Sequence, residues 1–121
     1  MYTVLHEKKR WAFALDILKE RLWLLALFDR YGVLLKEANA RMFRAYYEED
    51  LSLTEIAESF GLTKQGVSDS LKRSKEQLQH YEEMMRLLQK EKEVQHILGE
   101  IRKDQKDKWL LSKLDELEQL L

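Results

Sequence analysis

Apolar residues recur along most of this chain at the three- and four-residue steps of an amphipathic helix. The pattern predicts a long helix over residues 7–31, a second over 39–49 and two short helices within 52–73. No proline or glycine interrupts the helical pattern from Val67 to Leu98, and a last helix is predicted to start at Trp109. The predicted fold class is therefore all-α.

Residues 52–73 predict a helix that ends in a tight turn. Ser52 can cap this helix, and Glu55 three residues later completes a capping box. One apolar stripe follows at i, i+3, i+4 and i+7, formed by Leu53, Ile56, Ala57 and Phe60. Gly61 comes next, and a glycine can take the left-handed conformation that ends a helix without a Cβ clash.

The second short helix completes a helix-turn-helix pattern. Thr63 is a suitable cap, and Val67 and Leu71 face inward at i and i+4. Ala57 lies four residues before Gly61 and Val67 six after it, the spacing of a DNA-binding helix-turn-helix, whose second helix enters the major groove. A plain structural hairpin is the alternative. The predicted motif core is Ile56, Ala57, Phe60, Gly61, Leu62, Val67 and Leu71.

The polar side of the second helix is the candidate DNA-binding surface. It consists of Thr63, Lys64, Gln65, Ser68, Asp69, Lys72 and Arg73. Lysine can bond guanine acceptors, glutamine can bond adenine through two hydrogen bonds, and aspartate can accept from the cytosine amino group. Arg73 suits a phosphate contact better. The alternative is an ordinary solvated helix surface, and Gly66 adds flexibility where a base-reading helix benefits from rigidity.

The flanking helices predict pairing between two chains. In the first helix a heptad-like seam is formed by Trp11, Leu15, Leu18, Leu22 and Leu25. Further apolar residues widen this surface, and a small domain has little interior in which to bury it. The last helix carries a second seam, formed by Leu110, Leu114, Leu117 and Leu121. The chain is thus divided into an N-terminal helical extension (1–26), a helix-turn-helix core (27–75) and a C-terminal helical arm (76–121). The recognition helix either runs on into this arm or breaks once near Ser74, and Gly99 is a candidate break further along.

Composition limits the chemistry. The chain has 121 residues, no cysteine and a net charge of −1, so disulfides and cysteine catalysis are excluded, and tight non-specific binding to DNA is disfavoured. The histidines His6, His80 and His96 lack a metal-ligand spacing. We assign no catalytic residue, metal site or cofactor. The longest apolar run is too short to span a bilayer, and no signal-peptide pattern is present, so we expect a cytoplasmic protein without membrane insertion.

Two runs of sequence resemble a known family. LFDRYGVLL (27–35) and YYEEDLSLTEIAESFGLTKQGVSDSLKRSKEQLQHYEE (46–83) resemble the YlxM-like family of small bacterial helix-turn-helix proteins. That family is similar to the promoter-binding domain of sigma factors, which implies a three-helix unit without a wing. The resemblance places the DNA-facing residues at Thr63, Lys64, Gln65, Ser68 and Asp69. Gly66 and Ser68 depart from the family pattern, as does the stretch Lys36-Glu37-Ala38-Asn39.

The resemblance also implies a biological setting, because genes of this family typically lie beside those of the signal recognition particle. Two hypotheses follow. The first is a regulatory homodimer that binds DNA or signal-recognition-particle RNA. The alternative is a protein-interaction adaptor of the signal-recognition-particle system that keeps the fold without binding DNA.

Overall fold

A computed structural model describes the backbone of residues 2–121 and the side chains of residues 7–121. Every regular element in that range is helical, which confirms the predicted all-α class. The α-helices are α1 (Tyr2–Tyr31), α2 (Glu37–Tyr47), α3 (Leu53–Phe60), α4 (Lys64–Met85), α5 (Leu87–Lys103) and α6 (Lys108–Gln119). Met1, in the predicted extension, and the side chain of His6 lie outside the described residues.

The chain divides into two compact units, and the first ends at Met84. Its core lies where the C-terminal third of α1 meets α2, α3 and α4. The rings of Phe28 in α1 and Phe43 in α2 stack with their centroids 4.8 Å apart. The Tyr31 hydroxyl donates a buried 2.7 Å hydrogen bond to Glu82 of α4. The first contact fixes α2 against α1, and the second fixes α4 against α1 and so orients the candidate surface.

The connection between α1 and α2 is a short 3-10 helix, Gly32–Leu34. This connection lies in the gap between the helices predicted over 7–31 and 39–49. A Cβ at Gly32 would lie 2.9 Å from a ring carbon of Phe28, so a larger residue would displace that core ring. α2 then begins at Glu37, slightly before the predicted start at Asn39, and ends at Tyr47.

Of the two alternatives for the recognition helix, the structure confirms that it runs on past Ser74. Ser74 is buried within α4, which continues to Met85, and the break falls at Arg86, where φ is 53°. The first unit extends beyond the proposed limit at residue 75 because Leu78 and Glu82 are buried in it. The proposed limit at residue 26 falls inside the continuous helix α1.

The second unit, Met85–Leu121, is a helical hairpin of α5 and α6. Gly99 lies inside α5, so the candidate break there is wrong. Arg102 of α5 joins the helices through ion pairs to Asp115 at 2.8 Å and Glu118 at 2.9 Å. Leu114 is buried while Leu117 is exposed, so the predicted C-terminal seam is used in part within the chain itself. That weakens its role as a reason for dimerisation.

The N-terminal part of α1 exposes large apolar side chains. Trp11 and Phe13 are both about 70% exposed, at 71% and 69%. Among the described residues, no helix is both long enough and apolar enough to cross a membrane.

Candidate nucleic-acid interface

The first helix of the motif, α3, is capped as its sequence predicts. The Glu55 amide donates to the Ser52 hydroxyl at 3.1 Å, and the Ser52 amide donates to the Glu55 carboxylate at 3.3 Å. The reciprocal bonds satisfy donors that would otherwise lack partners at the start of a helix. Ile56 and Ala57 are buried. The short helix is thus held at its start and along its inner face.

The turn depends on Gly61. Its backbone is left-handed, with φ 65° and ψ 34°, and its amide donates to the Ala57 carbonyl. The next amide, that of Leu62, donates to the same carbonyl at 2.9 Å. The Leu62 side chain is 46% exposed because it lies in the turn between the helices. Leu62 therefore does not belong to the buried part of the motif core.

The second helix, α4, starts at a threonine cap. The Thr63 hydroxyl accepts a 3.0 Å hydrogen bond from the Gly66 amide. Val67 is fully buried and Leu71 nearly so. A Cβ at Gly66 would lie 3.2 Å from the Thr63 hydroxyl oxygen, so an alanine at this position would crowd the cap.

A contact between side chains ties α4 to α2. The Ser70 hydroxyl donates to the Asn39 amide oxygen at 3.0 Å, and Ser70 is buried. The sequence gives one weak indication of this contact: Ser70 is a small polar residue three positions after Val67, on the inward side of the helix. Its partner in α2 could not be identified, because Asn39 lies 31 positions away. With Val67, Leu71 and Ser70 turned inward, the opposite side of α4 faces outward.

All seven residues predicted for the DNA-binding surface are exposed: Thr63, Lys64, Gln65, Ser68, Asp69, Lys72 and Arg73. We call this set the α4 surface. After the cap, its residues form two adjacent rows with a four-residue step. One row is Lys64, Ser68 and Lys72, and the other is Gln65, Asp69 and Arg73. At 1.5 Å per residue, the rows extend about 14 Å along the helix.

One hydrogen bond organises the second row. The Gln65 side-chain amide donates to the Asp69 carboxylate at 2.9 Å. This bond holds Gln65 along the helix and occupies part of the only carboxylate in the α4 surface. Pairing with adenine needs both the donor and the acceptor of a glutamine amide. Because the side-chain nitrogen carries two hydrogens, Gln65 keeps one donor hydrogen and its acceptor oxygen for a base while it is bonded to Asp69.

The positive charge of this region is narrow. Lys64, Lys72 and Arg73 outweigh Asp69. The segments before α4 expose the acidic residues Glu48, Glu49, Asp50, Glu55 and Glu58. Within this part of the chain, an anionic polymer is thus attracted mainly to the α4 surface, over a screening distance of about 8 Å at physiological salt.

The described residues offer no competing metal site, since no cluster of three potential ligands occurs among them. His80 is exposed, and His96 forms a 2.9 Å pair with Glu100 one helical turn away. These are the contacts of ordinary surface histidines.

Comparison with known proteins gives consistent matches. Residues 18–117 match the model of the UPF0122 family, described as helix-turn-helix proteins like YlxM and p13. A UPF0122 protein of Clostridium acetobutylicum is 38% identical over 96 residues, covering 79% of each chain. One from Lactococcus lactis subsp. cremoris is 37% identical over 95 residues, covering 78% of this chain and 86% of the relative. One from Shouchella clausii is 38% identical over 98 residues, covering 78% and 90%.

Proposed function

Because this chain belongs to the UPF0122 family of YlxM- and p13-like helix-turn-helix proteins, we propose that it is a regulatory protein that binds nucleic acid through the α4 surface. The observation that carries the proposal is the division of α4 into two sides. Val67 is fully buried, while the seven polar residues of the α4 surface are exposed.

DNA is the first candidate ligand, because its major groove is about 12 Å wide and admits an α-helix. Lys64 and Gln65 lie in the first turn of α4, the part of a recognition helix that contacts base edges. Lys72 and Arg73 lie about two turns further along and suit phosphate contacts. In this arrangement Lys64 and Gln65 select the base sequence. Lys72 and Arg73 fix the position of the helix on the DNA and add affinity.

The test begins with selection of preferred sites from a pool of random-sequence DNA duplexes. Lys64→Ala and Gln65→Ala should each weaken binding to the selected site by about 1–3 kcal/mol, the value of a good bidentate base contact. Fluorescence anisotropy of the labelled duplex measures the change. The matched controls are Lys90→Ala in α5 and Gln77→Ala further along α4, which remove the same groups from exposed positions outside the α4 surface.

The expected result is a loss for the two α4-surface variants, with both controls within error of the unmodified chain. If the selected site binds all five proteins equally, the base-contact roles of Lys64 and Gln65 are wrong.

A link to the signal recognition particle is the finer part of the proposal, and it rests on the family resemblance. The ligand in that setting is DNA that controls the pathway or the particle's own RNA. The second candidate function is an adaptor that binds a protein of the particle. The observation that favours the adaptor is the net charge of −1, which is unusual for a dedicated nucleic-acid binder.

Salt dependence separates these functions. Three cations in the α4 surface predict a slope of log affinity against log salt of roughly −3 per copy for duplex DNA, at about −0.9 for each phosphate contact. The adaptor predicts no retention of DNA or RNA even at low salt, together with saturable binding to the purified GTPase of the particle. Neither function calls for a catalytic group or a cofactor, and we propose no enzymatic role.

The proposal includes a cytoplasmic homodimer, which would present two copies of α4 to one ligand. A symmetric dimer matches two half-sites when its recognition helices are separated by about one helical turn of DNA.

A further inference from the structure

The N-terminal part of α1 exposes an apolar seam on the side away from the core. At 100° per residue, the core-facing residues Leu24 and Tyr31 lie on nearly the opposite side of the helix from this seam. The seam residues Trp11, Leu15, Leu18 and Leu22 are each at least half exposed. We call these four residues the α1 seam.

The spacing within the α1 seam is symmetric. Its residues are separated by four, three and four positions, so the seam reads the same in both directions around a centre between Asp16 and Ile17. A two-fold axis at that centre would place Trp11 opposite Leu22 of a second copy, and Leu15 opposite Leu18. Such a contact is self-complementary and closes at two chains.

We propose that two copies of this chain associate through the α1 seam as an antiparallel helix pair. The family match begins at residue 18, so the first half of the seam lies outside the matched segment. The inference rests on the homodimer of the proposed function and names its surface, whereas nucleic-acid binding through the α4 surface is tested separately and can fail without it.

Charge favours the antiparallel arrangement. Lys8, Lys9 and Arg10 precede the seam directly. A parallel pair in register would bring the two basic clusters side by side, whereas the antiparallel pair separates them by roughly 20 Å along the axis, at 1.5 Å per residue. Ala12 and Ala14, which flank the seam, are small and allow close approach of the helices.

The direction of α1 is fixed where it meets the core. Lys75 of α4 forms an ion pair with Glu20. Arg21 forms another with Asp50 and also donates a 2.6 Å hydrogen bond to the Tyr47 carbonyl oxygen. These contacts hold the end of the seam nearest the core in a defined direction, which reduces the ordering needed for a second copy to bind.

The size of the seam predicts a moderate affinity. The seam contributes four large side chains from each copy. A specific protein–protein interface of standard size uses about 20–30 residues from each partner. We therefore expect a dissociation constant in the micromolar range.

A membrane surface is a poorer occupant. A helix that lies in a membrane interface has one polar and one apolar side. Here Phe13 and Ile17 are exposed on the side opposite the α1 seam, and both sides of this part of α1 are apolar. Phe13 and Ile17 are not part of the proposed pair.

The first test is the mass of the full chain in solution by sedimentation equilibrium over the micromolar range. The unmodified chain should approach twice its 14.6 kDa mass. The double variant Leu15→Glu, Leu18→Glu should remain monomeric, with circular dichroism confirming that it is folded. Val33→Glu is the matched control, because Val33 is 90% exposed in the turn after α1, and this variant should dimerise normally.

The second test uses the absence of cysteine in this chain. Trp11→Cys mixed with Leu22→Cys should give a disulfide-linked pair on mild oxidation, whereas Trp11→Cys alone should not, because a disulfide requires Cα atoms within about 7 Å. A monomeric unmodified chain, a dimer that survives the double glutamate substitution, or efficient cross-linking of Trp11→Cys alone would overturn the proposal.

Discussion

Gly61 follows the end of α3 and Gly99 lies inside α5, and the two positions differ in whether they need a glycine. Gly61 has a left-handed backbone that most side chains adopt only with strain. Gly99 lies inside α5, and a Cβ added there would meet no other atom within 4 Å. The same substitution should therefore have opposite effects at these two positions.

We predict that Gly61→Ala lowers the free energy of unfolding by about 1–2 kcal/mol, the cost of left-handed backbone. Gly99→Ala should raise the free energy of unfolding of the second unit by about 0.5–1 kcal/mol, since alanine favours a helix interior over glycine. Urea titration followed by circular dichroism measures both variants. Changes of the same sign would contradict the backbone roles assigned here.

For single residues, caps and turns could be predicted from the sequence, whereas contacts between residues far apart in the chain could not. The Ser52–Glu55 box, the Gly61 turn and the Thr63 cap each involve residues within four positions of one another, so sequence spacing is sufficient. The Ser70–Asn39 and Tyr31–Glu82 bonds join residues 31 and 51 positions apart. Those partners depend on how the helices pack, which a single sequence does not specify.

The helices themselves show where periodicity is sufficient and where it fails. The motif helices α3 and α4 begin near the predicted positions, because caps and a glycine mark their ends. The end of α4 carries no such mark. Arg86 has a positive φ without being glycine or asparagine, so its sequence gives no signal of a break.

Two ionisable side chains lie near the point where α1 meets α2 and α4. Burial raises the pKa of Tyr47 above its ordinary value of 10.0, and the nearby Tyr46 adds to this. A hydrogen bond to Glu20 raises the pKa of Lys75 above 10.5. Both groups hold their protons more tightly in the folded chain. Their contribution to stability is therefore complete below about pH 10 and is lost as the pH rises through the folded-state pKa values.

We predict that the free energy of unfolding falls as the pH rises above about 10, and that it falls less steeply in Tyr47→Phe and in Glu20→Gln. The first variant removes one titrating group, and the second removes the partner that raises the pKa of Lys75. Urea titrations at several pH values provide the measurement. An unchanged slope in both variants would show that this contact region does not couple folding to pH.

For the whole molecule, the helix-turn-helix fold followed from the sequence, and membership of the UPF0122 family agrees with it. The division of the chain into two compact units could not be predicted from the sequence. Leu78 and Glu82 pack in the first unit, although nothing in a continuous helical pattern distinguishes them from an extended arm. The exposure of the α4 surface was predicted from the inward positions of Val67 and Leu71, while its ligand remains a proposal.

The charge of the whole chain shapes that proposal. With a net charge of −1, long-range attraction to a polyanion is weak, and the cations of the α4 surface must supply most of it. Binding should therefore be local and should leave most of the protein unaffected.

Amide chemical-shift mapping tests this central claim most directly. The ¹⁵N-labelled full chain is titrated at low salt with a pool of random-sequence DNA duplexes. We predict that the largest shifts fall on the amides of residues 63–73, with α5 and α6 nearly unchanged. The absence of shifts at low salt, or a set of shifts centred outside residues 63–73, would contradict the assignment of the α4 surface as the nucleic-acid interface.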